Sequence, residues 1–347
     1  MVASIYEYSR EELASLLAGE PRYRLDQLWQ GLWVDGVVLE GITTIPKSLR
    51  TRLRNQFPPS LEVANDVASD HGSTRKWVFR LENGSTIETV LMHYDDRVTV
   101  CVSSQAGCAM GCTFCATGQA GFSGQLSVGE VLEQVMFATR EAAPARLSNV
   151  VFMGMGEPLA NYHVTVGAVR RLHEYRGLSA RHLTVSTVGV APAIERLAKE
   201  GLPLTLAVSL HAANNETRDE LVPLNRRYPL ERLHAACSTW LETTGRRLSF
   251  EWALIDGVND TDQAMDELAP YANSLDAHVN LIPLNPTPGY LVRGSSARRV
   301  AEFRDGLQRR GVNATVRNTR GRSIAAACGQ LATVTNAKRR SIPVRSS

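Results

Sequence analysis

The stretch VTVCVSSQAGCAMGCTFC, Val98 to Cys115, decides how the rest of the chain is read. It opens as a short apolar run, passes through small polar residues and Gly107, and delivers three thiols at Cys108, Cys112 and Cys115. A buried strand followed by a ligand-bearing loop is the start of a βα unit, whose functional edge lies at the strand's C-terminal end. The same rhythm recurs downstream. Strand-like runs at Asn149–Met153, Leu183–Thr187, Leu204–Ser209, Leu248–Leu254 and Val279–Ile282 each precede a helical pattern. The clearest helix opens with Ser127 and Glu130 at capping-box spacing and turns Val128, Val131, Leu132, Val135 and Met136 to one face. Successive βα units need right-handed crossovers and so imply a parallel sheet, either a partial barrel or a doubly wound sheet. The continuous Val/Leu/Ile runs lead us to expect strands buried on both faces.

Before this repeat, residues 1–60 read as a small helical unit. Ser9 and Glu12 have capping-box spacing, Leu25, Leu28, Trp29 and Leu32 recur at helical intervals, and a helix from Lys47 to Phe57 carries Arg50, Arg52 and Arg54 before Pro58 and Pro59 end it. Residues 61–95 form a β-rich connector, with Trp77, Phe79 and Leu81 on one face and Asn83-Gly84 as a turn. The βα region then spans 96–310, and 311–347 is a C-terminal extension. From Val316 onward that extension has seven basic residues (Arg317, Arg320, Arg322, Lys338, Arg339, Arg340, Arg345) and no acidic one, although the net charge is only +3.

No run approaches the ~18 apolar residues of a membrane span, and the first thirty residues lack an export signal, so a soluble cytoplasmic protein is expected. In that reducing compartment, clustered thiols bind metal or do chemistry more often than they form structural disulfides. Cys237 falls with Leu230, Leu233 and Leu241 on an apolar helix face and is assigned to the core.

The polar and glycine-rich segments all close strands. Gly154-Met-Gly-Glu-Pro158 follows the second, Ser186-Thr187 ends the third, Ser209-Leu-His211 ends the fourth and Asn285-Pro286 follows the sixth. They are expected to converge with the cysteine loop on one cavity. Three thiolates at C-x-x-x-C-x-x-C spacing can hold three irons of a [4Fe-4S] cube and leave the fourth open, whereas an electron-transfer cluster has all four irons ligated. Structural zinc wants four protein ligands; Cys101, His71 or His93 could supply one, but zinc would leave the glycine-rich loops unexplained.

The segment Cys108-Ala-Met-Gly-Cys112-Thr-Phe-Cys115 resembles the signature of radical S-adenosylmethionine (SAM) enzymes. With Gly154-Met-Gly-Glu-Pro158, Ser209-Leu-His211 and Ala327-Cys328-Gly329-Gln330-Leu331, the chain from about Trp29 to Leu331 resembles the RlmN/Cfr family of RNA adenine methyltransferases. The resemblance implies a partial (β/α)6 radical SAM barrel holding one [4Fe-4S] cluster on Cys108, Cys112 and Cys115. SAM contacts are implied for Gly156, Glu157, Ser186, Ser209, Leu210, His211 and Asn285. It further implies that one SAM methylates Cys328, and that a second yields a radical which takes hydrogen from this S-methyl group, so that the methylene radical adds to adenine. Cys101 then resolves the adduct through a transient disulfide while Glu88 acts as general base.

The implied substrates are adenosine 2503 of 23S rRNA and adenosine 37 of certain tRNAs, methylated at C2; a related branch methylates C8. C2 of adenine is electron-poor and bears no acidic proton, so it needs a radical route. An electron donor such as flavodoxin or ferredoxin and a monomeric state are also expected. In many family members an acidic residue stands three positions before the methyl-carrying cysteine; here it is Ala325. With RNA implied, the arginine helix and basic tail acquire a phosphate-binding role. The reading from a different class is a non-catalytic iron-sulfur or zinc RNA-binding protein, which has no use for Cys101 and Cys328 as a pair.

Overall fold

The computed structural model describes residues 3–285, 293–317, 320–326 and 329–331. Cys328, Pro286 and the basic residues Lys338, Arg339, Arg340 and Arg345 lie outside the described residues.

The chain begins with three short helices, α1 (Arg10–Leu16), α2 (Tyr23–Trp29) and α3 (Lys47–Gln56). The Ser9 capping box forms: the hydroxyl accepts from the Glu12 amide at 3.2 Å and the Glu12 carboxylate accepts from the Ser9 amide at 2.7 Å. Three antiparallel strands follow, β1 (Glu62–Ser69), β2 (Thr74–Arg80) and β3 (Thr86–His93), and then β4 (Val98–Cys101). A hairpin of β5 (Gln105–Gly107) and β6 (Phe122–Gln125) carries the cysteine loop and the short helix α4 (Ala116–Ala120). Beyond it come α5 (Val128–Glu141), β7 (Asn149–Phe152), α6 (Tyr162–Glu174), β8 (Leu183–Thr187), α7 (Ala191–Ala198), β9 (Thr205–Ser209), α8 (Asn215–Leu221), α9 (Leu230–Thr244), β10 (Ser249–Leu254), α10 (Asp262–Asn273), β11 (His278–Pro283), α11 (Ala297–Arg309) and β12 (Ala314–Val316). All six expected strands are present within a residue or two. The short β12, from a stretch with little apolar content, was not legible.

The large sheet runs β1-β2-β3-β4-β7-β8-β9-β10-β11-β12, with parallel pairing from β4 onward. The parallel strands follow chain order without reversal, and right-handed crossovers then put every connecting helix on the same face. That order selects the partial barrel over the doubly wound sheet, which needs a reversal. The edge strands β1 and β12 do not pair with each other, so the barrel stays open.

Burial on both faces holds along β4, the middle of β9 and most of β10, but the two faces differ in chemistry. Val100, Val150, Phe152, Leu183, Val185, Leu206, Val208, Phe250, Trp252, Val279 and Leu281 enter the main core under the helices, while their neighbours Cys101, Ser186, Ser209, Glu251 and Asn280 fall on the opposite, concave face. The strands of the 61–95 segment extend the sheet, because β3 pairs with β4. The N-terminal helices also share the main core: Leu13, Leu28, Trp33 and Leu53 belong to the same cluster as the sheet, and Trp29 and Trp33 pack edge-on to Tyr175 after α6.

Candidate active site

A cavity opens at the C-terminal ends of the parallel strands. Its lining includes Cys112 and Cys115 from the cysteine loop, Gly154, Gly156 and Glu157 after β7, Ser186 of β8, Ser209 and His211 at the end of β9, and Gly329 and Leu331 of the C-terminal segment. The motifs singled out from sequence therefore meet in one place.

The glycines after β7 are explained by close approach. A Cβ on Gly154 would stand 2.6 Å from the Val102 carbonyl oxygen, and Gly156, at φ +98°, would put one 2.5 Å from the Gln105 side chain. Only glycine lets this loop lie against the chain leaving β4. The contact is fixed by hydrogen bonds. The amides of Ser104 and Gln105 donate to the Met155 carbonyl at 2.8 and 3.2 Å, and the Glu157 amide donates to Gln105 Oε1 at 2.8 Å. The Glu157 carboxylate is buried and accepts from the Leu159 and Val188 amides at 3.0 and 2.9 Å, tying the loops after β7 and β8 together. Burial pushes its pKa up to about 7 against these hydrogen bonds.

His211 has a left-handed backbone, φ 61°, and a buried ring packed edge-on to Phe114 with centroids 4.6 Å apart. Its Nδ1 accepts from the Ala253 amide at 3.0 Å, so the neutral ring carries its proton on Nε2. Burial, with the nearby Arg218 guanidinium, lowers its pKa to about 3. Between Ser209 and His211, the Leu210 side chain is buried in the main core, so only its backbone is available to the cavity. Asn285 is buried just past β11, next to Leu284, which does line it.

Among the described residues no three His, Cys, Asp or Glu side chains group tightly enough to hold a single metal ion. Tetrahedral zinc draws its thiolates to roughly 4 Å of one another, whereas an iron-sulfur cube attaches each thiolate to a different iron. The donor set fits the cube. Three thiols share one loop, two of them line the cavity, and they feel one another electrostatically: Cys115 and Cys108 both raise the Cys112 pKa, behind the larger effect of burial. Burial also pushes Cys108 up to about 12, so without a cation Cys108 and Cys112 hold their protons, and iron would stabilise their thiolates.

Cys101 and Glu88 sit beside the cavity on the concave face. Cys101 is opposite Val90 in the β3–β4 register and belongs to a small apolar cluster with Val90, Met92, Met155 and Leu331. Glu88, two residues before Val90, shares that face of β3 and is buried in an ion pair with Lys76, whose Nζ is 3.2 Å away. Burial raises the Glu88 pKa, and Lys76 opposes the shift. Sequence reasoning missed Lys76, Glu251 and Arg218. The buried Arg218 donates to the carbonyls of Leu210 and Val188 at 3.0 and 2.7 Å, binding the ends of β8 and β9 together. Glu251 was detectable as an acid inside an apolar strand; it lines the cavity and accepts from Asn280 at 2.7 Å. Nothing in the local pattern marks Arg218.

The arginines of α3 face acids of their own unit. Arg52 pairs with Glu20 at 3.2 Å, Arg54 pairs with Glu40, and Arg50 donates to the Glu40 carbonyl at 2.9 Å. No helix among the described residues is long and apolar enough to cross a membrane.

Residues 102–269 match the radical SAM superfamily. The chain is 50% identical to the "Probable dual-specificity RNA methyltransferase RlmN" of Frankia alni, over 95% of this chain and 82% of that protein. It is 47% identical to the corresponding protein of Chloroflexus aurantiacus, over 94% and 92%. The crystal structure of a radical SAM methyltransferase from Sphaerobacter thermophilus superposes with a TM-score of 0.91 at 48% identity, covering 94% of this chain and 98% of that one.

Proposed function

The chain belongs to the RlmN family of dual-specificity radical SAM RNA methyltransferases, and we propose on that premise that it methylates C2 of adenine, at adenosine 2503 of 23S rRNA and adenosine 37 of tRNAs. The observation that carries the reading is the meeting, at one cavity, of the cysteine loop with Gly329 and Leu331 of the C-terminal segment, with Cys101 packed against Leu331.

Cys108, Cys112 and Cys115 would hold the [4Fe-4S] cluster, which, with an electron from a donor such as flavodoxin or ferredoxin and with SAM, would supply radical chemistry to activate the methyl group on Cys328. The chain's own residues do the rest. Gly156, Glu157, Ser186, Ser209, His211 and the backbone of Leu210 shape the SAM site, with Asn285 at its edge. The neutral His211 adds no charge there, and its Nε2–H is the donor it offers.

Addition of the methylene radical joins the base to Cys328 and leaves one unpaired electron on the ring; that electron would pass back to the oxidised cluster, and the Glu88 carboxylate takes the C2 proton, which leaves a closed-shell methylene bridge. The Cys101 thiolate attacks the Cys328 sulfur, and an S–S bond forms as the S–C bond breaks. The electron pair of that bond stays on the released methylene carbon, which takes up a proton to become the methyl group. Cys101 is thus a resolving thiol and the disulfide is transient. The target base must leave its stack to reach the buried residues, so recognition depends on RNA shape and loop accessibility.

Mass spectrometry of adenosine in rRNA and tRNA from cells with and without the protein tests the proposal. Loss of 2-methyladenosine from both RNAs is expected. Loss of 8-methyladenosine instead would move the chain to the C8 branch, and unchanged RNA would remove the methyltransferase reading.

A further inference from the structure

The inner ends of β2 and β3 carry a contact that links the proposed base to the C-terminal segment. Lys76 is directly opposite Val90, and Val90 is opposite Cys101, so the three residues form one row across β2, β3 and β4. Lys76 is only 8% exposed, an unusual place for an ammonium group unless its charge is used. Its Nζ stands 3.2 Å from the Glu88 carboxylate and donates to the Ala325 carbonyl at 3.1 Å. Ala325 has φ +50°, a left-handed conformation that is strained for a non-glycine residue. The segment is held further back as well. Asp70 accepts from the Gly321 amide at 2.9 Å, and Arg320 donates to Ser73 at 2.9 Å and lies over the Tyr94 ring.

We infer that Lys76 is a positioning residue for the methyl-transfer reaction: it holds Glu88 as the carboxylate, aimed at the concave face, and fixes the C-terminal segment through Ala325. The inference rests on the assignment of Glu88 as base. Lys76 on β2 stands against the Glu88 carboxylate; past β4 the Ser103 hydroxyl donates to the Glu88 carbonyl, Cys101 on β4 is opposite Val90 two residues along, and the C-terminal segment presents the neutral Ala325 carbonyl to Lys76. Lys76 is therefore the only cation among the described residues that lowers the Glu88 pKa. Burial alone favours the protonated acid, which cannot accept a ring proton.

The test uses full-length holoenzyme and a 23S rRNA fragment, with product release and covalent protein–RNA adduct followed between about pH 6 and about pH 9. In Lys76→Met, Glu88 should titrate higher. Release should slow by roughly tenfold or more at neutral pH, adduct should accumulate, and the rate should recover as pH rises. Lys76→Arg keeps the cation and should stay closer to the wild type at every pH. Iron content and methylation of Cys328, read by peptide mass, should be unchanged in both. A Lys76→Met profile that superimposes on the wild type, a loss that high pH does not relieve, or a loss of iron or of the Cys328 methyl group would overturn the positioning role. Glu88→Gln separates the two readings. It should be slow and adduct-forming at every pH, and if it turns over normally the base assignment itself falls.

Discussion

The backbone amide of Ala116 donates a 2.9 Å hydrogen bond to the carbonyl of Gly329. Ala116 directly follows Cys115 and Gly329 directly follows Cys328, so one backbone bond stitches the cysteine loop to the C-terminal segment. The Thr117 hydroxyl donates to the Leu331 carbonyl, and the Leu331 side chain is buried with Cys101 and Met155. Truncating that anchor tests how firmly the segment is docked. Leu331→Ala should cost roughly 2 kcal/mol of docking and speed hydrogen exchange at the Ala116 amide by about 30-fold, with iron content unchanged. Exchange no faster than in the wild type would show that Leu331 is not the anchor.

Each of Cys108→Ala, Cys112→Ala and Cys115→Ala should abolish the roughly four irons per chain obtained on anaerobic reconstitution. Cys101→Ala and Cys237→Ala should retain them, because Cys101 sits in the separate apolar cluster and Cys237 is buried under the helices. A full cluster in any of the first three variants would sink the ligand assignment.

Cys101 and Cys328 should fail differently, because they act at different steps of one covalent cycle. Cys328→Ala has no sulfur to carry the methyl group and should give neither methylated protein nor RNA adduct. Cys101→Ala should accumulate protein joined to RNA through Cys328, visible as a nuclease-sensitive shift on a denaturing gel. Free turnover by Cys101→Ala without trapped adduct would leave Cys101 as a packing residue.

His211 makes stability pH-dependent in a defined window. Its folded pKa, about 3, is below the unfolded value of 6.5, so the native state keeps it neutral while the unfolded chain takes up a proton. The stability associated with the neutral ring is fully present above about pH 6.5 and is lost as pH falls toward about 3. Denaturant titrations should show His211→Gln to have a shallower loss between those limits than the wild type. Parallel curves would mean that the ring is not held neutral.

Replacing Arg50, Arg52 and Arg54 by Gln should weaken RNA binding and flatten its salt dependence, because fewer counterions are released. Their pairing with Glu20 and Glu40 competes with phosphate, so the change in slope should be smaller than three free cations would give. An unchanged slope of log affinity against log salt would confine these arginines to holding α3 in place.

The sequence by itself determined the parallel sheet, because each apolar run and each amphipathic helix is a local pattern. Ser9–Glu12 and Ser127–Glu130 cap their helices as spacing alone foretold. It also brought Cys112, Cys115, Gly156 and His211 to one cavity, since these residues follow strands and strand ends converge. Tertiary structure alone decided which face of each strand is polar, because the alternation of Ser186, Ser209 and Glu251 has meaning only once helices cover the other face. It decided that Leu210 points into the core, and that Arg218, remote from every motif, braces two strand ends. It also put Lys76 beside Glu88 and the Ala325 carbonyl, a contact spanning 249 residues of chain. Such contacts depend on strand register and on where the C-terminal segment returns, and neither is encoded by any local periodicity.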